Sequence, residues 1–161
     1  MITNKWFMGS EGIEDAHVVR DAVFVREQGV PREIEYDDMD ARSLHLVVYE
    51  DEKPVGVGRM YFKGDYHIGR IAVLREYRGR QLGDLLMRLL LFKAFDQDAS
   101  SVSVDAQLTA EGFYARYGFT RCGDEFMEAG MAHVPMRVTP GTVRLESKCG
   151  HCPHPCTEKR F

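Results

Sequence analysis

The sequence predicts a single α/β domain built on a mixed sheet with helices on both faces. Strand-like and helix-like segments are interleaved along the chain, which is the main support for this fold class. Two strand-like runs flank a turn at residues 51–54, as in a hairpin. Apolar residues repeat with the helical period over residues 82–97. A length of 161 residues suits one domain with a sizeable core.

The first third of the chain predicts a strand, a helix and an irregular acidic segment. Residues 4–8 are strand-like. Residues 11–28 predict a helix, because apolar side chains such as Val19 and Val23 fall near one face. Pro31 ends that helix, and residues 32–43 are acidic and irregular. The carboxylates of this acidic segment either attract a cationic substrate or belong to a solvated loop.

The rest of the chain alternates strands with two helices. The helix at 82–97 has the most sustained apolar period, and a short helix at 109–117 is stopped by Gly118, a residue favoured at helix C-termini. Strands are predicted at 44–50, 55–62, 66–73, 101–106, 119–127 and 131–138.

Bulk properties exclude several classes of protein. The formal net charge of −4 argues against a nucleic-acid partner, since such domains carry a basic patch or stripe. There is no apolar run long enough to span a bilayer, so no membrane partner is predicted. The first residues lack the apolar core of a signal peptide, and the expected location is therefore cytoplasmic.

A glycine- and arginine-bearing turn at residues 78–83 lies between a strand and a helix. The first amides of a helix have no internal acceptor, so this arrangement can bind a phosphate group. Gly79 and Gly83 allow an anion to approach the main chain closely, and Arg78 and Arg80 add positive charge. The turn matches neither the P-loop nor the dinucleotide-binding glycine fingerprint.

This turn resembles the pyrophosphate-binding loop of the GCN5-related N-acetyltransferase (GNAT) superfamily. That loop reads Gln/Arg-x-x-Gly-x-Gly/Ala. Arg78 takes its first position, Gly83 takes its last, and Gln81 departs from it by standing where glycine is usual. Residues 104–119 are similar to the superfamily's last core motif, which they match at Gln107 (in place of Asn), Ala110, Phe113, Tyr114, Gly118 and Phe119.

Two further stretches are similar to a small uncharacterised bacterial subgroup of this superfamily. They are residues 20–28 and residues 128–136. The resemblance covers residues 5–138. It implies an N-acetyltransferase domain over residues 1–140 with a mostly antiparallel sheet of about six or seven strands and about four helices. The fourth and fifth strands are expected to separate and admit the cofactor.

The resemblance implies transfer of an acetyl group from acetyl-CoA to a primary amine, by direct attack in a ternary complex. It assigns the oxyanion donor to the backbone N–H of Val73 and the acid for the leaving thiolate to Tyr114, with Tyr117 as the competitor. Two candidates for the general base remain open, Glu27 and His133, and a third alternative is that the amine loses its proton to water without a dedicated residue. The cofactor-binding residues implied are Ile71, Ala72, Val73, Arg78, Gly79, Arg80, Gln81, Leu82, Gly83, Gln107 and Tyr114.

The segment 141–161 forms a separate tail rich in potential metal ligands. A Cys-x₂-Cys pair is a usual half of a structural zinc site, and the predicted ligands are Cys149, Cys152, His154 and Cys156. Two other functions remain open: a non-catalytic acyl-CoA-binding module, and a metal-dependent interaction protein that works through its tail. A homodimer is among the assemblies considered.

Overall fold

One sheet of eight strands forms the centre of the structure, a computed structural model that describes residues 1–145. The strands follow the order β1-β2-β3-β4-β5-β8-β6, and β7 pairs with β8. Only the β4–β5 pair is parallel within this sheet, so the predicted mixed, mostly antiparallel architecture is confirmed. The strands are β1 Ile2–Met8, β2 Leu44–Glu50, β3 Lys53–Phe62, β4 Tyr66–Val73, β5 Val102–Gln107, β6 Thr120–Arg121, β7 Phe126–Glu128 and β8 Met131–Val138.

Four α-helices flank the sheet, as expected. They are α1 Ile13–Arg20, α2 Arg32–Glu35, α3 Leu82–Asp96 and α4 Glu111–Ala115. The predicted helix over residues 11–28 changes its winding partway, because α1 continues as a π-helix over Asp21–Glu27. Wider π turns are often found at functional sites. None of the helices described here is long and apolar enough to cross a membrane.

The sheet has eight strands because the predicted strand at 119–127 is divided into β6 and β7. Arg121 pairs with Met136 and Phe126 pairs with His133, so four residues oppose only Val134 and Pro135. Pro135 has no N–H to donate, and a proline interrupts a ladder at the point where that donor is needed.

Helices cover both faces of the sheet and create two apolar clusters. One cluster lies under α3 and includes the fully buried Leu86, Leu90 and Val102. The other lies under α1 and includes Val19 and Val57. This packing places the beginning of α3 next to the end of β4, where the glycine-bearing turn joins them.

The strands β4 and β5 separate after a short paired stretch. Only three residue pairs join them, from Tyr66–Val102 to Ile68–Val104, although β4 runs on to Val73 and β5 to Gln107. The expected separation of the fourth and fifth strands is therefore present, and it opens a gap in the middle of the sheet.

Candidate active site

The gap between β4 and β5 is the mouth of a cavity of about 360 Å³. Its wall includes the end of β4, and three side chains predicted from sequence also reach it, Gln107, Tyr114 and His133. Val73 and Arg78 line the same cavity. The structure therefore brings together residues that are far apart in the chain, from Val73 to His133.

Val73 presents its backbone N–H to this gap. The amide of Leu74 donates to the carbonyl oxygen of Val55 at 2.9 Å, so Val73 and Gly56 form the next, non-hydrogen-bonded pair of the antiparallel ladder. In such a pair both N–H groups point away from the partner strand. Because β5 has already separated, the Val73 N–H has no strand on its open side.

A β-bulge lies just before this donor. Arg70 and Ile71 together oppose Gly58, and Arg70 has a φ of 52°, in the left-handed region. A bulge inserts one extra residue and changes the direction of the strand. It thereby turns the end of β4, including the main chain of Ile71, toward the gap. The side chain of Ala72 packs instead under α1.

The turn before α3 offers a row of free backbone donors. The amides from Gly79 to Asp84 donate to no backbone oxygen and no side chain of residues 1–145, and the N-cap has no side-chain cap. The side chain of Leu82 is buried in the core, so its contribution to the turn is its amide. Gly83, the second residue of α3, lies beside the ring of Phe113. Free amides at a helix N-terminus, together with the helix dipole, are suited to an anion.

Gln81 adopts the backbone conformation for which glycine is preferred. Its φ is 62° and its ψ is 13°, in the left-handed region, and Gly79 at the other side of the turn has a φ of 77°. Glycine adopts this region without steric cost, and glutamine does so at some cost. The departure from the family's loop therefore falls at a position whose backbone conformation glycine adopts more easily.

Arg78 connects the turn to both β4 and the π-helix. Its two terminal nitrogens donate to the carboxylate of Glu27 at 2.7 and 2.8 Å, and its Nε donates to the carbonyl oxygen of Val73 at 3.0 Å. The hydrogen bonds from Arg78 hold the pKa of the Glu27 carboxyl below its usual range. A carboxylate with a lowered pKa is a weaker base, so this geometry favours Glu27 as the partner that orients Arg78.

Arg80 also belongs to the turn, but its guanidinium is paired with the carboxylate of Glu50. Both side chains are near the surface, where ion pairs are screened by solvent and exchange partners easily. The guanidinium therefore remains available to a phosphate group.

Tyr114 is buried at the junction of α4 and the cavity. Its ring packs edge-to-face against Phe113 and Phe119. Burial raises the pKa of Tyr114 to about 12. The phenol therefore stays protonated at every physiological pH, as an acid for the leaving group must. Its competitor Tyr117 donates its hydroxyl to Asp84 on α3, so Tyr117 links the turn after α4 to α3.

His133 lies on β8, next to Gln107 of β5 in the sheet register. Its Nδ1 is 2.9 Å from the carbonyl oxygen of Met131, and its ring stacks on Phe126. A carbonyl only accepts, so Nδ1 must carry the hydrogen. In the neutral ring Nε2 is then unprotonated, and it lies 4.0 Å from a carboxylate oxygen of Glu128.

Gln107 has a neighbour that bridges the two sides of the cavity. Its amide nitrogen donates to the side-chain oxygen of Gln28 at 2.9 Å, which joins β5 to the end of the π-helix. The subgroup stretch at residues 20–28 therefore contributes Gln28, as well as Glu27, to this region.

The sequence interpretation missed a buried ion-pair network beside the cavity. The acidic segment was expected to attract a cation or to be a solvated loop, but three of its carboxylates are paired internally. Three arginines and three carboxylates balance in charge: Arg20, Arg59 and Arg70 with Glu35, Asp37 and Asp40. The signal in the sequence was Arg20 and Arg59, which stand inside apolar segments, where a charge needs a partner.

The predicted zinc ligands Cys149, Cys152, His154 and Cys156 lie outside the described residues. Within residues 1–145 no cluster of three or more metal-binding side chains occurs. The zinc hypothesis for the tail stays a prediction.

Comparison with known proteins identifies the family. The model of the acetyltransferase (GNAT) domain matches residues 9–140. The uncharacterized N-acetyltransferase YjcF of Bacillus subtilis (strain 168) is 41% identical over 128 residues, covering 78% of this chain and 91% of YjcF. Two crystal structures, an acyl-CoA N-acyltransferase from Pseudomonas aeruginosa and Escherichia coli ElaA, superpose with TM-scores of 0.78 and 0.76. Each is 26% identical in sequence to this chain, and the superposition covers 85% of this chain and 99% of the other. The chain therefore belongs to the GNAT superfamily and is an acetyl-CoA-dependent acyltransferase.

Proposed function

We propose that this enzyme moves the acetyl group of acetyl-CoA to a primary amine by direct attack in a ternary complex. One observation carries the proposal: a free backbone donor at Val73, a protonated phenol at Tyr114 and Arg78, the first residue of the turn before α3, line a single cavity. The structurally similar protein from Pseudomonas aeruginosa is described as an acyl-CoA N-acyltransferase, which supports the same chemistry. Residues 1–140 form the catalytic domain in this proposal, and residues 141–161 form a tail.

The reaction has three events that the site must assist. The neutral amine forms a bond to the thioester carbon, the carbonyl oxygen takes up negative charge, and the carbon–sulfur bond then breaks to release the thiolate. The Val73 N–H donates to the oxyanion. It belongs to a strand, so it is already oriented when the charge develops, and the loss of one such donor costs about 3–4 kcal/mol in other enzymes.

Tyr114 donates to the departing sulfur. Against an exposed thiol with a pKa near 8.5, a phenol with a pKa of about 12 would lose a proton only at a cost of roughly 5 kcal/mol. The leaving thiolate is buried in the same cavity, however, and burial raises the pKa of a thiol for the same reason. The two pKa values therefore approach each other, and the hydroxyl begins as a hydrogen-bond donor and completes the transfer as charge develops.

The proton of the attacking amine goes to His133 in this proposal. Its Nε2 is unprotonated in the neutral ring, and the side chain lines the cavity. Glu27, the other candidate, is occupied by Arg78. His133 therefore serves as the base, and Glu27 orients the turn.

Release of free thiol from acetyl-CoA in the presence of an amine panel tests the proposed function. Tyr114→Phe should lower kcat by about 10²–10⁴-fold with little change in acetyl-CoA affinity, because only the proton donor is lost. The matched control is Tyr117→Phe, which removes the hydrogen bond to Asp84 from the neighbouring turn and should cost stability, about 1 kcal/mol, with kcat retained.

Two outcomes would contradict the proposal. A Tyr114→Phe enzyme within twofold of wild type would reduce Tyr114 to a packing residue. Acetyl-CoA binding without thiol release for any amine would favour the alternative of a non-catalytic acyl-CoA-binding module. A homodimer, a cytoplasmic location and zinc in the tail stay predictions.

A further inference from the structure

The wall of the cavity away from the phosphate-binding turn contains a recess above Gly69. A Cβ added at Gly69 would meet no atom within 4 Å, so the space over this residue is open. The recess lies on the sheet face that α1 covers farther along, and it is part of the same cavity as Val73 and Tyr114.

An aromatic pair forms one side of the recess. Tyr61 and His67 face each other across β3 and β4, and their rings stack with centroids 5.2 Å apart and an interplanar angle of 7°. The guanidinium carbon of Arg59 already lies over the Tyr61 ring, 5.5 Å from its centroid, so the pair offers a flat packing surface rather than a free cation site. This side is therefore suited to the aliphatic stem of an ammonium compound.

Asp105 forms the opposite side. His67 is level with Ser103 in the parallel register, so Asp105 comes level with Gly69, on the same face, where β4 and β5 begin to separate. Burial raises the pKa of Tyr61, and the positive charge of Arg59 opposes that rise. The negative charge of Asp105 raises the pKa of Tyr61 further, so Asp105 lies close enough to act on the aromatic pair.

Asp105 is a free charge in this wall. Its carboxylate makes no ion pair with any of residues 1–145, whereas the carboxylates of Glu35 and Asp37 are already matched by arginines. The network contributes no net charge, because its three arginines balance its three carboxylates. The recess is therefore negative because of Asp105, and Glu128 adds a second carboxylate to the cavity, near His133.

We propose that Asp105, with the Tyr61–His67 pair, selects acceptors that carry a second positive charge, and seats that charge in the recess above Gly69. The inference rests on the proposed function, because it names the acceptor class for that reaction. Gly69 and Val73 pair with Arg59 and Gly56, which are three residues apart on β3, so the second cation lies roughly 10 Å along the strand from the oxyanion donor. That separation suits an extended aliphatic diamine.

Three probes with the same carbon chain separate the effect of charge from the effect of length. They are cadaverine, which carries a second ammonium, pentylamine, which carries a methyl, and aminovalerate, which carries a carboxylate. Calorimetric titration, with and without saturating CoA, should show cadaverine binding about three- to tenfold more tightly than pentylamine, and aminovalerate most weakly. The preference should shrink as salt is added.

Two variants locate the preference and one controls for it. Asp105→Asn should make cadaverine and pentylamine bind equally. Gly69→Val should also remove the preference, because its side chain extends into the recess, where an added Cβ meets no atom within 4 Å. Asp124→Asn, a change at an exposed carboxylate outside the cavity, should leave the preference as it is in the wild type.

The inference is overturned if the wild type binds cadaverine and pentylamine equally, or if Asp105→Asn keeps the preference. Thiol release from acetyl-CoA separates this failure from a failure of the proposed function. Equal turnover of cadaverine and pentylamine would retain acetyl transfer and remove the role of Asp105. A binding preference without any thiol release would retain the recess and remove acetyl transfer.

Discussion

Gly83 allows the anion site at the beginning of α3 to be tested by charge alone. The change is Gly83→Glu, compared with Gly83→Gln, which has nearly the same shape without the charge. A Cβ at this position would lie 3.6 and 3.8 Å from the nearest ring atoms of Phe113, which is ordinary contact. Both variants should therefore fold.

The size of the effect follows from Coulomb's law. A carboxylate about 5 Å from a phosphate group, at an effective dielectric constant of about 20, is repelled by about 3 kcal/mol per unit charge. Acetyl-CoA should thus bind roughly 150-fold more weakly to Gly83→Glu than to Gly83→Gln. Helix stability should change in the opposite direction, because glycine is a poor helix former and its replacement contributes up to about 1 kcal/mol.

Isothermal titration calorimetry with acetyl-CoA measures the first effect, and thermal unfolding measures the second. We expect Tm to rise by about 2–4 °C in both variants, which shows that the fold is intact. If the two variants bind acetyl-CoA within threefold of each other, the phosphates do not sit at the beginning of α3, and the assignment of residues 78–83 is wrong.

Two other predictions concern the turn and the ion-pair network. Gln81→Gly should bind acetyl-CoA within a few-fold of wild type and melt at an equal or higher temperature, because φ is 62° there. A loss of affinity beyond tenfold would show that the glutamine side chain itself contacts the cofactor. Asp40→Asn should cost about 3 kcal/mol in urea unfolding at pH 7, because it removes a charge shared by Arg20 and Arg59. Burial alone would raise the pKa of Asp40, but the hydrogen bonds from these arginines outweigh it and hold that pKa below 3.8. Its contribution is therefore present above about pH 4 and lost as the pH falls through the lowered value, so a difference from wild type that is the same at pH 3 and pH 7 would contradict this account.

Local patterns were enough to predict most of the framework. The apolar period of α3, the glycine-bearing turn and the order of strands and helices depend on residues close together in the chain, and the structure confirms the mixed sheet and its four helices. The family motifs also predicted which residues meet at the cavity, because Val73, Gln107 and Tyr114 occupy motif positions.

The tertiary structure decided which charged and polar groups at the site remain without a partner among the described residues. Glu27 and the acidic segment had the composition of a base and a cation site, but which arginine approaches each carboxylate depends on packing between distant segments. Glu27 and His133 were both candidates for the general base. What separates them is the groups around them, because the carboxylate of Glu27 is bound by Arg78 and Nε2 of His133 is not hydrogen-bonded to the carbonyl of Met131.

The sequence by itself predicted a turn that can bind phosphate, because the free amides of a helix N-terminus are a local property of the chain. Only the tertiary structure decided that the Val73 amide is free and that Asp105 stands beside an open space at Gly69. Both depend on the register of β3, β4 and β5 and on the point where β4 and β5 separate. Register is a relation between strands, so it is set by the whole packed sheet and by no single segment.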